Sequence, residues 1–215
     1  MNLEIISIHY KTPQYIYEQY DSVRKLYPDT PYRIIDGSDN GEKYFLDLEK
    51  KDSNFKVERL GYNIHHGPGM DYAIKNSKHQ FLLILDSDVV LKKDIISPMY
   101  EKFTGYAVGR KRMVNALGMQ NWEISWIGKY LPKSFKYIYI QPVCMLLSRD
   151  AYLKFKPFLK HGSPCIDAMI DIHKKKQTHL LAEFAIEDYA DVKYQGTCKI
   201  WGMNISKWSY LIPRI

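Results

Sequence analysis

Between residues 3 and 90 the chain alternates between two kinds of segment, and few folds accommodate that alternation. "LEIISIHY" (3–10), "YRIID" (32–36), "FKVERL" (55–60) and "FLLIL" (81–85) are short, apolar and rich in β-forming residues, as strands are. The segments between them carry helical spacing. Pro13 opens one, with Tyr17, Tyr20, Val23 and Tyr27 at three- and four-residue steps until Pro28 stops it. "EKYFLDLEKK" (42–51) and "MDYAIKNS" (70–77) read as two more helices, while "GYNIHHGPG" (61–69) holds too much Gly and Pro for regular structure. Repetition of this kind leads to an α/β fold: a mostly parallel central sheet, right-handed crossovers and flanking helices. The unbroken apolar run from Phe81 to Leu85 marks a strand covered on both faces, as the centre of such a sheet is.

Beyond residue 90 the rhythm loosens. "KDIISPMYEKF" (93–103) reads as a helix broken or kinked by Pro98, "YAVGRKRM" (106–113) as a strand and "YIYIQPVCMLLS" (137–148) as another. "RDAYLKFKPF" (149–158) is a short helix, "CIDAMIDIHKKK" (165–176) an amphipathic one, and "HLLAEFAIEDYADV" (179–192) is strand-like. Residues 115–136 follow no period; their Trp122 and Trp126 suit either a core or a sugar ring to stack on. No repeat or linker divides the 215 residues. The expectation is one domain, with a nucleotide-binding half (1–90) and an acceptor and catalytic half (91–215).

No run approaches the roughly 20 apolar residues of a membrane span, and the start "MNLEIISIHY" lacks the basic region of a signal peptide. Three cysteines, none in a CxxC pair, imply neither a disulfide framework nor a zinc ribbon, so a reducing cytoplasm is expected. The net charge of +7 suits an anionic partner, with short basic clusters at 109–112 and 173–176. A solvated surface explains such clusters equally well, so at most peripheral membrane contact and no nucleic-acid binding are expected.

The chemistry gathers where the fourth strand ends. Asp86, Ser87 and Asp88 follow five apolar residues, and charge at the lip of a core is costly unless paired or bound to metal. In open α/β sheets ligands sit beyond the carboxyl ends of the strands. His9 and Tyr10, Asp36, and the stretch from Asn63 to Gly69 end the other three strands, so four polar or glycine-rich segments should converge on one crevice. Oxygen ligands there favour Mn²⁺ or Mg²⁺ completed by substrate phosphates. The adjacent His65 and His66 fit better as hydrogen-bond donors lining a diphosphate than as metal ligands, and Gly67 and Gly69 permit close backbone approach.

The order of these segments resembles glycosyltransferase family 2, enzymes of the GT-A fold that move a sugar from a nucleotide-sugar donor. "HYKTP" (9–13) resembles the family's Asn-Tyr-Asn-Thr-Pro, which brings His9, Tyr10 and Lys11 to the donor. "IIDGSDN" resembles its second strand end, giving Asp36 the nucleobase and favouring a UDP or dTDP sugar. "NIHHGPGMDYAI" resembles the family's glycine-rich segment: Asn63 and Gly67 match, while His65 and Asp71 stand in for Gly and Asn. "LLILDSDVVL" resembles its Asp-x-Asp motif, which implies Asp86 and Asp88 as metal ligands with Asp86 and Ser87 also near the substrate. "VCMLLSRDAYLKF" (143–155) resembles the strand and helix beneath the acceptor site. The resemblance covers 3–90 well and 137–197 loosely.

What the family implies about catalysis falls on three carboxylates. Asp167 takes the position of the catalytic base, although the family's neighbouring Glu, second Asp and Arg are absent here. Asp171, one turn on, and Asp188 are the alternatives. Relatives often add a metal-binding His in the last strand, where this chain has Val192; Asp191 or water is then expected in its place. The acceptor implied is a glycan or lipid-linked hydroxyl, with Lys11, Arg110 or Arg112 assisting the leaving diphosphate. Two rivals remain: a haloacid-dehalogenase-type phosphatase with Asp86 as nucleophile and Asp88 as acid/base, and a non-catalytic nucleotide-sugar or nucleic-acid binding protein.

Overall fold

The computed structural model describes residues 2–39, 43–120, 134–160 and 162–193. Trp122, Trp126, Gly196 and Thr197 lie outside these described residues. The chain runs β1 (Leu3–His9), α1 (Pro13–Leu26), β2 (Tyr32–Asp36), α2 (Leu46–Lys51), β3 (Phe55–Arg59), α3 (His66–Asn76) and β4 (Phe81–Asp86). It continues through β5 (Val89–Leu91), α4 (Ile96–Glu101), β6 (Ala107–Val114), β7 (Tyr137–Ser148), α5 (Arg149–Tyr152), α6 (Ile166–Lys174), β8 (Leu181–Glu183) and β9 (Ala190–Val192).

The central sheet has seven strands in the order β3-β2-β1-β4-β7-β6-β8. Strands β1 to β4 pair in parallel, with Ile5 opposite Leu83 and His9 opposite Asp36, so their carboxyl ends share one edge. Strand β7 then runs antiparallel to both β4 and β6, and β8 returns parallel to β6. Alternate residues of the central strands feed two cores. Ile5, Ile34, Leu83 and Leu85 pack with Ile16, Val23, Leu48 and Met99 of α1, α2 and α4. Ile6, Ile35, Leu82 and Ile84 pack with Met70, Ile74, Tyr152, Ile166 and Met169 of α3, α5 and α6. Both faces are therefore covered, which is why "FLLIL" lacks alternation.

Five segments depart from their sequence reading, and the helix read over 149–158 is confined to α5, Arg149–Tyr152. Residues 66–69 are helical, because α3 begins at His66 with Gly67 and Pro68 in its first turn, where Pro costs no hydrogen bond. Helix α2 begins at Leu46 rather than 42, behind Phe45 in a left-handed conformation (φ 66°). Helix α4 is shorter than expected and is not broken by Pro98, which sits in its first turn; Asp94 Oδ1 accepts the N–H groups of Ile96 and Ser97. The strand-like stretch 179–192 is two short strands in different sheets: β8 joins the main sheet, while β9 pairs with β5 in a small second sheet. Tyr189 donates its N–H to Ile186, turning the chain between them.

Candidate functional site

The acidic turn lies between β4 and β5. Strand β9 is laid against it, with Val89 opposite Val192, and the Lys193 N–H reaches the Asp88 carbonyl at 3.3 Å. Together these form one wall of a cavity of about 190 Å³. Asp86, Asp88, His66 and Val192 line it together with Tyr139, Gln141, Pro142 and Val143 of β7 and with Gly162 and Pro164. Asp88 is buried. Gln141 Oε1 is buried with no hydrogen-bond partner in the protein, and Asp86 Oδ1 is buried with the His66 ring beside it. Two such oxygens beside one cavity suit a hard cation or the hydroxyls of a sugar.

The sequence reading takes His65 and His66 together as donors lining a diphosphate, and His66 is the one that meets the acidic turn. Its Nε2 lies 3.1 Å from Asp86 Oδ1. Burial works against its charged form, but the charges of Asp86 and Asp88 and contact with Asp86 outweigh it and raise His66 above its ordinary value. Of the two adjacent histidines, only the start of α3 decides which meets the carboxylates, and that start was not visible in a Gly- and Pro-rich string. His65 instead supplies the residue before the helix, at φ 63° and ψ 164°, a conformation that glycine adopts and histidine rarely does.

Around the ends of β1 and β2 the polar groups are tied to one another. His9 is fully buried; its Nε2 accepts the Thr12 N–H at 3.0 Å, which fixes the proton on Nδ1, and Nδ1 donates to Asp36 Oδ1 at 2.9 Å. No ring nitrogen of His9 is left for a ligand, so its contribution passes through Asp36. Asp36 is itself 1% exposed. Burial alone would raise its carboxyl, yet hydrogen bonds from His9 and from the Ser38 hydroxyl and backbone hold it below the usual carboxylate range. At the rim, Tyr10 donates to Asp39 at 3.2 Å and Lys11 forms an ion pair with the same carboxylate. Lys11 reaches there from a left-handed backbone (φ 52°), its N–H on Ser38 Oγ.

The glycine-rich segment is explained largely by packing. A Cβ on Gly67 would sit 2.2 Å from the Lys160 carbonyl oxygen, so the close approach it permits is to this chain's own backbone. Gly69 likewise faces Ile8. Asn63 Oδ1 accepts the His65 N–H, shaping the turn into α3. Asp71 accepts from Tyr152 at 2.6 Å and Lys75 at 2.8 Å and joins α3 to α5. Ser87 sits in the acidic turn but is not among the residues lining the cavity.

The three candidate bases do not line the cavity either. Asp167, in the first turn of α6, pairs with Lys160 at 3.0 Å just beyond the Gly162–Pro164 wall. Asp171 pairs with Lys175 at 3.1 Å on the same helix, and Asp188 is exposed. Asp191 does not take the place that Val192 vacates: its carboxylate pairs with Lys92 at the surface. Arg110 is buried and pairs with Glu187 at 2.9 Å, while Arg112 is exposed. Among the described residues no three His, Cys, Asp or Glu side chains gather as a ligand set. The acidic pair fits a divalent ion whose shell a substrate's phosphates and water complete.

Comparison with known proteins decides the family. The glycosyl transferase family 2 model matches residues 4–153, well over half of the chain. The chain belongs to glycosyl transferase family 2. No curated protein matches it in sequence. Its fold is that of solved GT-A glycosyltransferases: residues 1–349 of S. aureus TarS align at 17% identity over 88% of this chain and 60% of that one, with a TM-score of 0.56. The mannosyltransferase PcManGT from Pyrobaculum calidifontis, in complex with GDP-Man and Mn²⁺, aligns at 12% identity over 86% of this chain and 57% of its own, at 0.59. GalNAc-T7 with UDP, GalNAc and Mn²⁺ aligns at 14% over 76% and 39%, at 0.54. The chain thus spans at most 60% of these solved chains. Family membership sets the phosphatase reading of Asp86 aside. No helix among the described residues is long and apolar enough to cross a membrane.

Proposed function

We propose that this family 2 glycosyltransferase moves a sugar from a nucleotide-diphosphate sugar to an acceptor hydroxyl with a divalent cation and with inversion. The observation that carries it is the acidic turn: two carboxylates at the end of the central parallel strand, on the wall of a cavity that a sugar can enter. UDP-GlcNAc and UDP in TarS, and GDP-Man with Mn²⁺ in PcManGT, support a donor of this class. Asp86 and Asp88 would hold Mn²⁺ or Mg²⁺, which would supply Lewis-acid neutralisation of the charge on the departing diphosphate.

The chain's own groups divide the remaining work. Residues 1–90 bind the donor: Asp36 accepts from the N3–H of uracil or thymine, which favours a UDP or dTDP sugar, and Tyr10 and Lys11 border the same end. His66, whose charged form the two carboxylate neighbours favour against burial, offers an N–H to the diphosphate. Residues 91–215 serve the acceptor, a glycan or lipid-linked hydroxyl whose proton passes to Asp167, an effect worth roughly 10²–10⁴-fold. For that step Asp167 must exchange Lys160 for the acceptor.

Because none of the three candidate bases lines the cavity, a donor-binding protein without transfer is the second reading. Incubation with a panel of nucleotide sugars and acceptors, in Mn²⁺ and in EDTA, separates the two. Transfer in Mn²⁺ that EDTA abolishes supports the proposal, whereas donor binding with no sugar transferred or hydrolysed supports the rival.

A further inference from the structure

Gln19 is an amide at a position where α1 faces the core, and it is fully buried. Burying an amide is unfavourable unless its hydrogen bonds are made. Here all are made. Nε2 donates to the carbonyl oxygens of Asp86 at 2.7 Å and Val89 at 3.0 Å. Carbonyls only accept, so the amide's orientation is fixed by its partners. Its Oε1 accepts from Ser7 Oγ of β1 at 2.6 Å and from the Tyr32 hydroxyl of β2 at 2.5 Å. Two donors and two lone pairs are then spent, which is the full capacity of a primary amide.

The two carbonyls it grips are those of the residues that bracket Ser87 and Asp88. One turn further along α1, Ser22 Oγ accepts the Leu91 N–H at 3.1 Å and donates to the Gln19 carbonyl at 2.7 Å. Helix α1 thus holds the acidic turn from behind at three points, anchored in turn to β1 and β2. A packing role alone would be met by Leu or Met, at no desolvation cost.

We propose that Gln19 is a positioning residue for the acidic turn: it fixes the backbone from Asp86 to Val89 so that both carboxylates meet the metal-bound diphosphate. This rests on the proposed role of Asp86 and Asp88. A misplacement of about 1 Å at such a site costs far more than the same shift elsewhere, because ligand geometry is lost rather than packing.

The test is Mn²⁺ binding in the presence of UDP, measured on the folded full chain with Gln19→Met, which keeps volume and removes every hydrogen bond. Mn²⁺ affinity is expected to fall about tenfold or more, while UDP affinity in EDTA stays at the wild-type value, a split that a purely structural role would not produce. Folded Gln19→Met with wild-type Mn²⁺ affinity, or equal loss of UDP binding in EDTA, overturns the proposal. If Gln19→Met does not fold, Tyr32→Phe decides. It removes one hydroxyl from Oε1, so Mn²⁺ binding weakened severalfold supports the role and unchanged binding overturns it. Wild-type protein that binds no Mn²⁺ with UDP overturns the metal reading itself, and the role of Gln19 with it.

Discussion

The carboxylates of residues 1–90, the half proposed to bind the donor, and those of the half proposed to serve the acceptor are held in opposite ways. Asp36 is buried behind His9 and Ser38, and the turn carrying Asp86 and Asp88 is braced from below by Gln19. Asp167 and Asp171 instead pair with lysines whose side chains are about half exposed, and Asp188 is exposed. Buried, hydrogen-bonded groups keep one geometry before any ligand arrives. Surface ion pairs are worth roughly 0–1 kcal/mol and exchange partners readily. The proposed donor side is therefore fixed by buried hydrogen bonds, whereas the candidate bases are held only by ion pairs nearer the surface.

The largest effect that sharpens this contrast is on the base. Asp167→Asn should lower the transfer rate by roughly 10²–10⁴ with donor affinity nearly unchanged, read from kcat and from nucleotide titration. Asp171→Asn and Asp188→Asn should cost less. Wild-type turnover in Asp167→Asn, with either of the others inactive, moves the base to that residue.

On the donor side the sign reverses: binding should suffer and chemistry should not. Asp36→Ala should weaken UDP or dTDP binding about tenfold or more, the loss of a hydrogen bond to a charged group, with little change in kcat. Unchanged nucleotide affinity would remove Asp36 from the nucleobase.

Two stability measurements probe how rigid that side is. Asp36 titrates below 3.8 in the fold, so its contribution is fully present above pH 3.8 and is lost as pH falls through its lower folded value. Asp36→Asn should flatten the acid limb of a melting-temperature profile below that pH; an unaltered limb would mean the brace from His9 is not felt. The smallest effect belongs to His65, held at φ 63°. His65→Gly should raise stability by about 1 kcal/mol, seen as a higher urea midpoint at constant slope, by relieving backbone strain. A lower midpoint would show that the His65 side chain contributes more than its backbone costs.

The same contrast explains what could be read from the sequence. Strands β1 to β4 announce themselves by composition, and the order of polar groups at their ends locates Asp36, Asp86 and Asp88, since a buried parallel strand must deliver its last residues to one edge. Residues whose role depends on a distant partner were not legible in that way. Gln19 reads as one polar residue on a helix, and nothing local says that the Asp86 and Val89 carbonyls lie behind it. His66 was indistinguishable from His65 until the start of α3 was known. Segment 179–192 has uniform β character, and only the pairing of β9 with β5 shows that it serves two sheets. Gly67 looked like room for a phosphate and proved to be room for Lys160.

In the proposed mechanism the acidic turn joins a divalent ion to the donor's diphosphate. Calorimetric titration of UDP into the wild-type chain and Asp88→Asn, each in Mn²⁺ and in EDTA, tests it most directly. Mn²⁺ is predicted to tighten UDP binding about tenfold or more in the wild type and to have little effect in folded Asp88→Asn. Wild-type affinity for UDP that is the same in Mn²⁺ and in EDTA would contradict it.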